Sequence, residues 1–185
     1  MISILLGSGF EEIEAITVFD ILKRAGADVL LVSVTGTLEV SSARNLVLKA
    51  DYLIDDIKDK KHQMIVIPGG MGGVRRIINS PSAKIFLQKI YMDKAKIAAI
   101  CAGPLVLDKF GLFSNETKYT CYPGVEQEIT AGNYIKEDVV VDGQFITSVA
   151  PGTAAEFAFK LVEILYDKKT TMNLRKSWFG QKDED

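Results

Sequence analysis

Cys101 is the residue of this sequence whose type and setting best suit covalent chemistry. It follows the apolar run Ile97-Ala-Ala-Ile100 and precedes Ala102-Gly103-Pro104-Leu105, so an apolar strand turns into a helix within a few residues. A nucleophile on such an elbow stands at the rim of a sheet. The N–H groups and dipole of the following helix stabilise its thiolate and lower its pKa. A buried, inert thiol is the alternative, because free cysteine packs as a small hydrophobe; the strand–turn–helix setting favours the reactive reading. Acidic residues at Glu11, Glu12 and Glu14 suit the first turn of a helix. His62, the single histidine, precedes the apolar run Met64–Ile67 at its amino end, opposite the ligand-binding end of a parallel sheet, and reads as a solvent-exposed loop residue.

These residues need elements to position them. Ile2 to Leu6 reads as a buried strand ending at Gly7-Ser8-Gly9, and Ala15, Val18, Leu22 and Ala25 then fall at helical spacing up to Gly26. Val29 to Val34 is a second buried strand, which completes a β-α-β unit. The pattern recurs: Met64–Ile67 stops at Pro68-Gly69-Gly70, a helical stretch runs around Ala83 to Met92, and Ile97–Ile100 stops at Cys101. This alternation predicts a mostly parallel sheet covered by helices on both faces, with ligands beyond the carboxyl ends of its strands. Further on, strand residues flank Asp142-Gly143, a two-residue hairpin signal, and Pro151-Gly152-Thr153 opens a helix with Ala154, Phe157, Ala158, Leu161 and Leu165 facing the core. Met172, Leu174 and Trp178 are expected to dock, with a frayed tail over 179–185.

With 185 residues and 48% apolar composition, the chain fits one domain spanning 1–185. A net charge of −2 on scattered charged residues gives no electrostatic reason to expect a general nucleic-acid or membrane partner. The apolar start is too short to span a bilayer and lacks a preceding basic region, so the expected location is cytoplasmic. Two cysteines make no disulfide framework, and no Cys/His cluster has the spacing of a structural zinc site.

Three motifs together resemble the ThiJ/PfpI superfamily, in the branch of the parkinsonism-associated protein deglycase: Gly-Phe-Glu-Glu-Ile-Glu at 9–14, Ile-Pro-Gly-Gly at 67–70 and Ala-Ala-Ile-Cys-Ala-Gly-Pro at 98–104. Ser42-Ala43-Arg44 and Pro151-Gly152-Thr153 with Glu156 also match. The resemblance implies a flavodoxin-like three-layer sandwich with a nucleophile elbow, a homodimer, and contact between Glu14 and the Cys101 sulfur. A desolvated carboxyl beside a thiol can hold a proton, donate it to thiolate or sulfinate, or shuttle it during carbonyl chemistry. Gly69-Gly70 lets the backbone approach the cysteine, where the Gly70 and Ala102 N–H groups can serve an oxyanion; a tight turn with no ligand is the equal alternative. Arg44, Tyr122, Pro151 and Thr153 are expected around the site, Arg44 pairing with acidic groups there or across a dimer, or serving as a plain surface charge.

Two departures shape the expected activity. Tyr122 stands where members of this branch often carry histidine, and a phenol titrating near pH 10 is a poor base at neutrality. Ala102 stands where protease-like relatives place histidine, which disfavours peptidase chemistry. Cys121 neighbours Tyr122 on a predicted strand and should therefore face away from the site. The implied activities are cofactor-independent glyoxalase or deglycase chemistry on a small reactive aldehyde or glycated protein, and redox sensing or chaperoning through Cys101 oxidation.

Overall fold

Apolar runs without polar alternation fold as strands covered on both faces, and four of them build most of the sheet's interior. The structure, a computed structural model, describes residues 1–181. In chain order its first elements are β1 (Ile2–Leu6), α1 (Glu12–Arg24), β2 (Val29–Ser33), β3 (Glu39–Ser41), β4 (Val47–Lys49), β5 (Tyr52–Leu53), α2 (Ile54–Ile57), β6 (Met64–Ile67) and α3 (Met71–Ile78). Then follow α4 (Pro81–Met92), β7 (Lys96–Ile100), α5 (Pro104–Lys109), β8 (Lys118–Tyr119), β9 (Asn133–Tyr134), β10 (Val139–Asp142), β11 (Phe145–Ser148), α6 (Ala154–Leu165) and α7 (Lys168–Trp178).

The main sheet has the order β10-β11-β7-β6-β1-β2-β5 and is parallel except for the β10–β11 hairpin. Strand alternation divides the core. From β7, Ile97 and Ala99 join α2 to α5 on one face, while Ala98 and Ile100 join α1 and α6 on the other. This is the flavodoxin-like three-layer sandwich. After β1 the chain builds outward to β2 and β5, then returns to β6 on the other side of β1. The direction of winding therefore switches between β1 and β6, where doubly wound sheets open a crevice at their carboxyl ends. Gly7–Gly9, Gly69-Gly70 and Cys101 converge at that end. Among the described residues no helix is long and apolar enough to cross a membrane.

Several expectations shift. The hairpin pairs Asp142 with Phe145, so its turn residues are Gly143 and Gln144, one position later than the Asp142-Gly143 signal; Gly143 supplies the positive φ of 57°. His62 is not a solvent-exposed loop residue: only 5% of its surface is exposed. Its Nε2 faces the Ile57 carbonyl at 3.3 Å, which can only accept, so Nδ1 accepts from the Ser3 hydroxyl at 3.2 Å. The ring also stands edge-on to Phe86, and burial holds its pKa below the ordinary value. It does lie at the amino end of β6, away from the crevice. Helix α3 was not anticipated, because Gly72 and Gly73 have poor helix propensity.

At the C-terminus Asp167 caps α7 by accepting from the Thr170 N–H at 2.7 Å. Leu174 and Trp178 pack on the α1/α6 core, and the Trp178 indole donates to Asp20. Met172 instead faces solvent, 61% exposed, because it lies on the opposite side of the helix. Of the tail expected to fray, residues 179–181 continue hydrogen bonding to the last turn of α7, and 182–185 lie outside the described residues.

Candidate active site

Where β7 ends, the backbone reverses sharply. Cys101 has φ 63°, a left-handed conformation that costs a residue with a side chain about 1–3 kcal/mol and persists only where neighbours impose it. They do so here from both sides: the Cys101 N–H donates to the Ser148 carbonyl at 3.0 Å, and the Tyr122 N–H donates to the Cys101 carbonyl at 2.9 Å. The sulfur is thereby held at the crevice, where the backbone N–H groups of Ala102 and Gly70 act to favour its anionic form. The sequence reading gives the same two N–H groups to an oxyanion beside the sulfur. The following helix, α5, has only six residues, so the individual N–H groups dominate over any helix dipole.

Gly69 and Gly70 have different tasks. A methyl group on Gly69 would lie 2.5 Å from the Cys101 Cβ, 2.9 Å from its sulfur and 2.7 Å from Glu14 Oε2, so only a bare backbone fits beside the pair. Gly70 has φ 81°, which turns its N–H toward the sulfur at no steric cost.

Glu14 projects from the first turn of α1 and is fully buried. Its Oε2 accepts from the Gly69 N–H at 2.6 Å, while Oε1 is buried without a hydrogen-bond partner. One backbone donor does not replace the hydration of a carboxylate. Burial accordingly raises the Glu14 pKa from 4.5 to about 7, against the lowering influence of Gly69 and Cys101 and with a small further push from the charge of Glu11. Burial and the Glu14 carboxylate push the Cys101 thiol up, to about 12, despite the Ala102 and Gly70 donors. The lowered thiol pKa expected from the elbow alone is therefore corrected: burial and an anionic neighbour outweigh it. The pair titrates as a unit. When Glu14 carries the proton, the repulsion vanishes and the carboxyl becomes a donor, so a thiolate here is the partner of a neutral Glu14.

This coupling predicts a pH signature in stability. The folded state holds the Glu14 proton more tightly than the unfolded chain does. The associated stabilisation is thus complete below pH 4.5, erodes as pH rises toward 7, and is absent above. Glu14→Gln keeps an acceptor for Gly69 without the charge. It should be more stable than the parent protein at pH 8 by up to roughly 3 kcal/mol, with the difference shrinking toward pH 5. Urea unfolding at the two pH values checks this; a pH-independent difference would refute the buried-proton account.

The cleft above the sulfur encloses about 420 Å³, and Arg44, Gly70, Ala102, Tyr122 and Pro151 all line it. Arg44 is no idle surface charge: its Nη1 donates to both Glu11 oxygens at 2.9 and 2.8 Å and approaches Glu12 at 3.5 Å. Tyr122 stands at the mouth, 48% exposed. Thr153 turns away, bonding the Ser148 hydroxyl at 2.7 Å and closing the β11–α6 turn. Glu156 pairs with Arg175 on α7, outside the cleft. Cys121 follows β8, fully buried in the opposite core with its thiol pushed up to about 12 by burial, so it does face away. Glu11, Met71 and Val125 also line the cleft and were missed. The helix-start reading explained Glu11 without a partner; Met71 could have been found as the neighbour of Gly70; Val125 carried no signal.

A doubly wound sandwich with a strained cysteine elbow, two converging N–H donors and a buried glutamic acid defines a class of cysteine-centred α/β proteins. The chain belongs to the DJ-1/PfpI family, whose profile matches residues 1–164. It is 36% identical to Protein DJ-1 homolog B of Arabidopsis thaliana across 93% of its own length, and spans about two fifths, 39%, of that relative. It is 36% identical to the protein named glutathione-independent glyoxalase DJR-1.2 of Caenorhabditis elegans, covering 90% of this chain and 88% of the relative. The solved structure of oxidized Toxoplasma gondii DJ-1 superposes with a TM-score of 0.92 at 35% identity, covering 96% of this chain and 97% of the other.

Proposed function

We propose that the protein is a cofactor-independent glyoxalase or deglycase in which Cys101 attacks methylglyoxal-type aldehydes or early glycation adducts. The observation that carries this reading is the Cys101 sulfur set between the Gly70 and Ala102 N–H groups and the proton-holding Glu14. The name of the Caenorhabditis elegans relative supports it. In the proposed cycle the thiolate adds to the aldehyde carbon of methylglyoxal, and the new alkoxide, steadied by the two N–H donors, takes the Glu14 proton. The Glu14 carboxylate then removes the C1 hydrogen as a proton and returns it to C2 through an enediol. A lactoyl thioester results, and water releases lactate and the thiol. The aldehyde carbon is oxidised as the ketone carbon is reduced, so no external electron acceptor enters the balance. Lactate formation from methylglyoxal by the purified protein at neutral pH without added cofactor tests the proposal; absence of turnover would sink it.

A second reading, stress sensing or chaperoning through oxidation of Cys101 to sulfinate, draws on the same buried carboxyl, which can donate to a sulfinate oxygen. Tyr122 in place of an imidazole favours it over rapid turnover, and the Toxoplasma gondii relative described as oxidized is consistent with it. Peroxide titration followed by mass spectrometry separates the two.

In either role we expect a homodimer working in the cytoplasm. Ile13 and Ile16 on α1 are 53% and 41% exposed, and Leu46 and Val47 on the neighbouring β3–β4 hairpin 44% and 55%. Arg44 and the Ala43–Phe10 backbone bond tie these two segments together, and an apolar surface of this kind suits a second copy. Sedimentation should give a dimer, and Ile16→Lys should shift it toward monomer; a monomeric parent protein would overturn this assignment.

A further inference from the structure

We propose that Asp108 is a positioning residue for the Cys101 cleft: from the last turn of α5 it holds down the 120–132 loop, which supplies Tyr122 and Val125 to the cleft wall and covers Cys121. The proposal rests on the reading of Cys101 as the reactive group and adds what sets the wall beside it.

Residues 120–132 connect β8 to β9, whose register pairs Lys118 with Asn133 and Tyr119 with Tyr134. The stems are therefore fixed, but the span between them has only the 3₁₀ turn Val125–Gln127 as regular structure. A connection this long and irregular stays ordered only where groups outside it take up its polar backbone. At the near end the Tyr122 N–H donates to the Cys101 carbonyl. At the far end Asp108 Oδ1 accepts from the Thr130 N–H, the Thr130 hydroxyl and the Ala131 N–H, each at 3.0 Å. Lys109 Nζ donates to Asp108 Oδ2 at 3.1 Å and to the Glu128 carbonyl at 2.7 Å.

An acid in the last turn of a helix gains nothing from that helix, whose terminal carbonyls oppose its charge. Yet the Asp108 side chain is only 2% exposed, and a carboxylate buried this far needs partners. Burial would raise its pKa, but Lys109, Thr130 and Ala131 hold it below the ordinary value, so it stays charged. These partners all lie in the loop or beside Asp108 itself. Between the anchored ends, Val125 and Ile129 pack into the α2–α5 core, and Tyr122 and Val125 line the cleft. The Glu126 N–H acts on the Cys121 thiol, which places the loop directly over that fully buried residue. Cys121, Val125 and Ile129 sit across the sheet from α1 and the surface proposed for the homodimer.

Cys121 therefore reports on the loop without any turnover. Lifting the loop exposes it, and alkylation by iodoacetamide under native conditions, resolved by peptide mass spectrometry, reads how often this happens. Asp108→Ala should label at Cys121 roughly tenfold faster or more, for the loss of charge-assisted bonds to one carboxylate. Asp108→Asn keeps an acceptor for the loop and should restore most of the protection. Thr130→Val removes one donor from an exposed residue, so the fold is not at stake, and should raise the rate roughly threefold. Labelling through loop opening depends weakly on urea and labelling through global unfolding steeply, so the urea slope separates loop from fold.

Variants that label no faster than the parent protein, or faster only with the steep slope of global unfolding, overturn the proposal. Where methylglyoxal is turned over, Asp108→Ala should raise KM severalfold with kcat nearly kept, because Cys101, Glu14 and the Gly70 N–H belong to other segments. An unchanged KM would break the link between loop and cleft. A parent protein without turnover whose variants label as expected would support the loop assignment and count against the glyoxalase reading alone.

Discussion

Cys101→Ser is expected to abolish lactate formation from methylglyoxal and to remove the mass gain of two oxygens after peroxide treatment. A serine hydroxyl has no accessible anion at neutral pH, and the neighbouring Glu14, with its pKa raised to about 7, is far too weak a base to generate one. Loss of the nucleophile should cost at least about 10³-fold in turnover. The fold should survive, because the Ser148 and Tyr122 bonds at this turn are made by the Cys101 backbone and not by its sulfur. Cys121→Ala is the matched control. That thiol is fully buried on the other side of the sheet, and its removal should leave both rates largely intact. Equal loss in the two variants would mean that Cys121 belongs to the chemistry and that the geometry has been misread.

Gly70→Ala should fail more broadly. A Cβ at this position would lie 2.3 Å from the Gly9 carbonyl oxygen and 2.5 Å from the Glu11 nitrogen. Both are backbone atoms, so no rotamer change relieves the clash, and the positive φ adds its own strain. A loss of more than about 3 kcal/mol is expected from such overlap. The loop that aims the Gly70 N–H must also move, so the fraction that still folds should lose oxyanion stabilisation, about 10²–10³-fold for one donor. Thermal unfolding measures the first effect. Turnover per folded molecule, taken well below the melting temperature, measures the second. A stable Gly70→Ala protein with parental turnover would show that this N–H has no part in the reaction. Alkylation of Cys101 by iodoacetamide provides a readout that does not depend on turnover, and it should slow as the donor is withdrawn.

The local pattern was readable where a residue's environment follows from its neighbours in sequence. Uninterrupted apolar runs can settle only in strands covered on both faces, so β1, β2, β6 and β7 were legible. The helical spacing of Ala15, Val18 and Leu22 likewise placed α1, and small residues after Ile100 placed the elbow at Cys101. The sequence also placed Gly70 and Ala102 in the turns that leave two apolar strands, and the structure makes those strands, β6 and β7, parallel neighbours.

Contacts between distant segments decided the rest. Glu14 and Gly69 are 55 residues apart, and Glu11 and Arg44 are 33 apart; no spacing rule links such pairs until strand order brings them to one crevice. The proton on Glu14 is a property of that crevice, since burial with a single backbone donor raises a carboxyl that would be ordinary on an exposed helix. The same burial reversed the expected pKa shift of Cys101. His62 shows the principle away from the site: its sequence surroundings are polar, yet Ser3, Ile57 and Phe86 enclose it. Periodicity determined which residues lie in strands and helices, because that choice depends on near neighbours. Tertiary packing decided which groups lose water and which charges meet, because desolvation and Coulomb energy depend on distance in space.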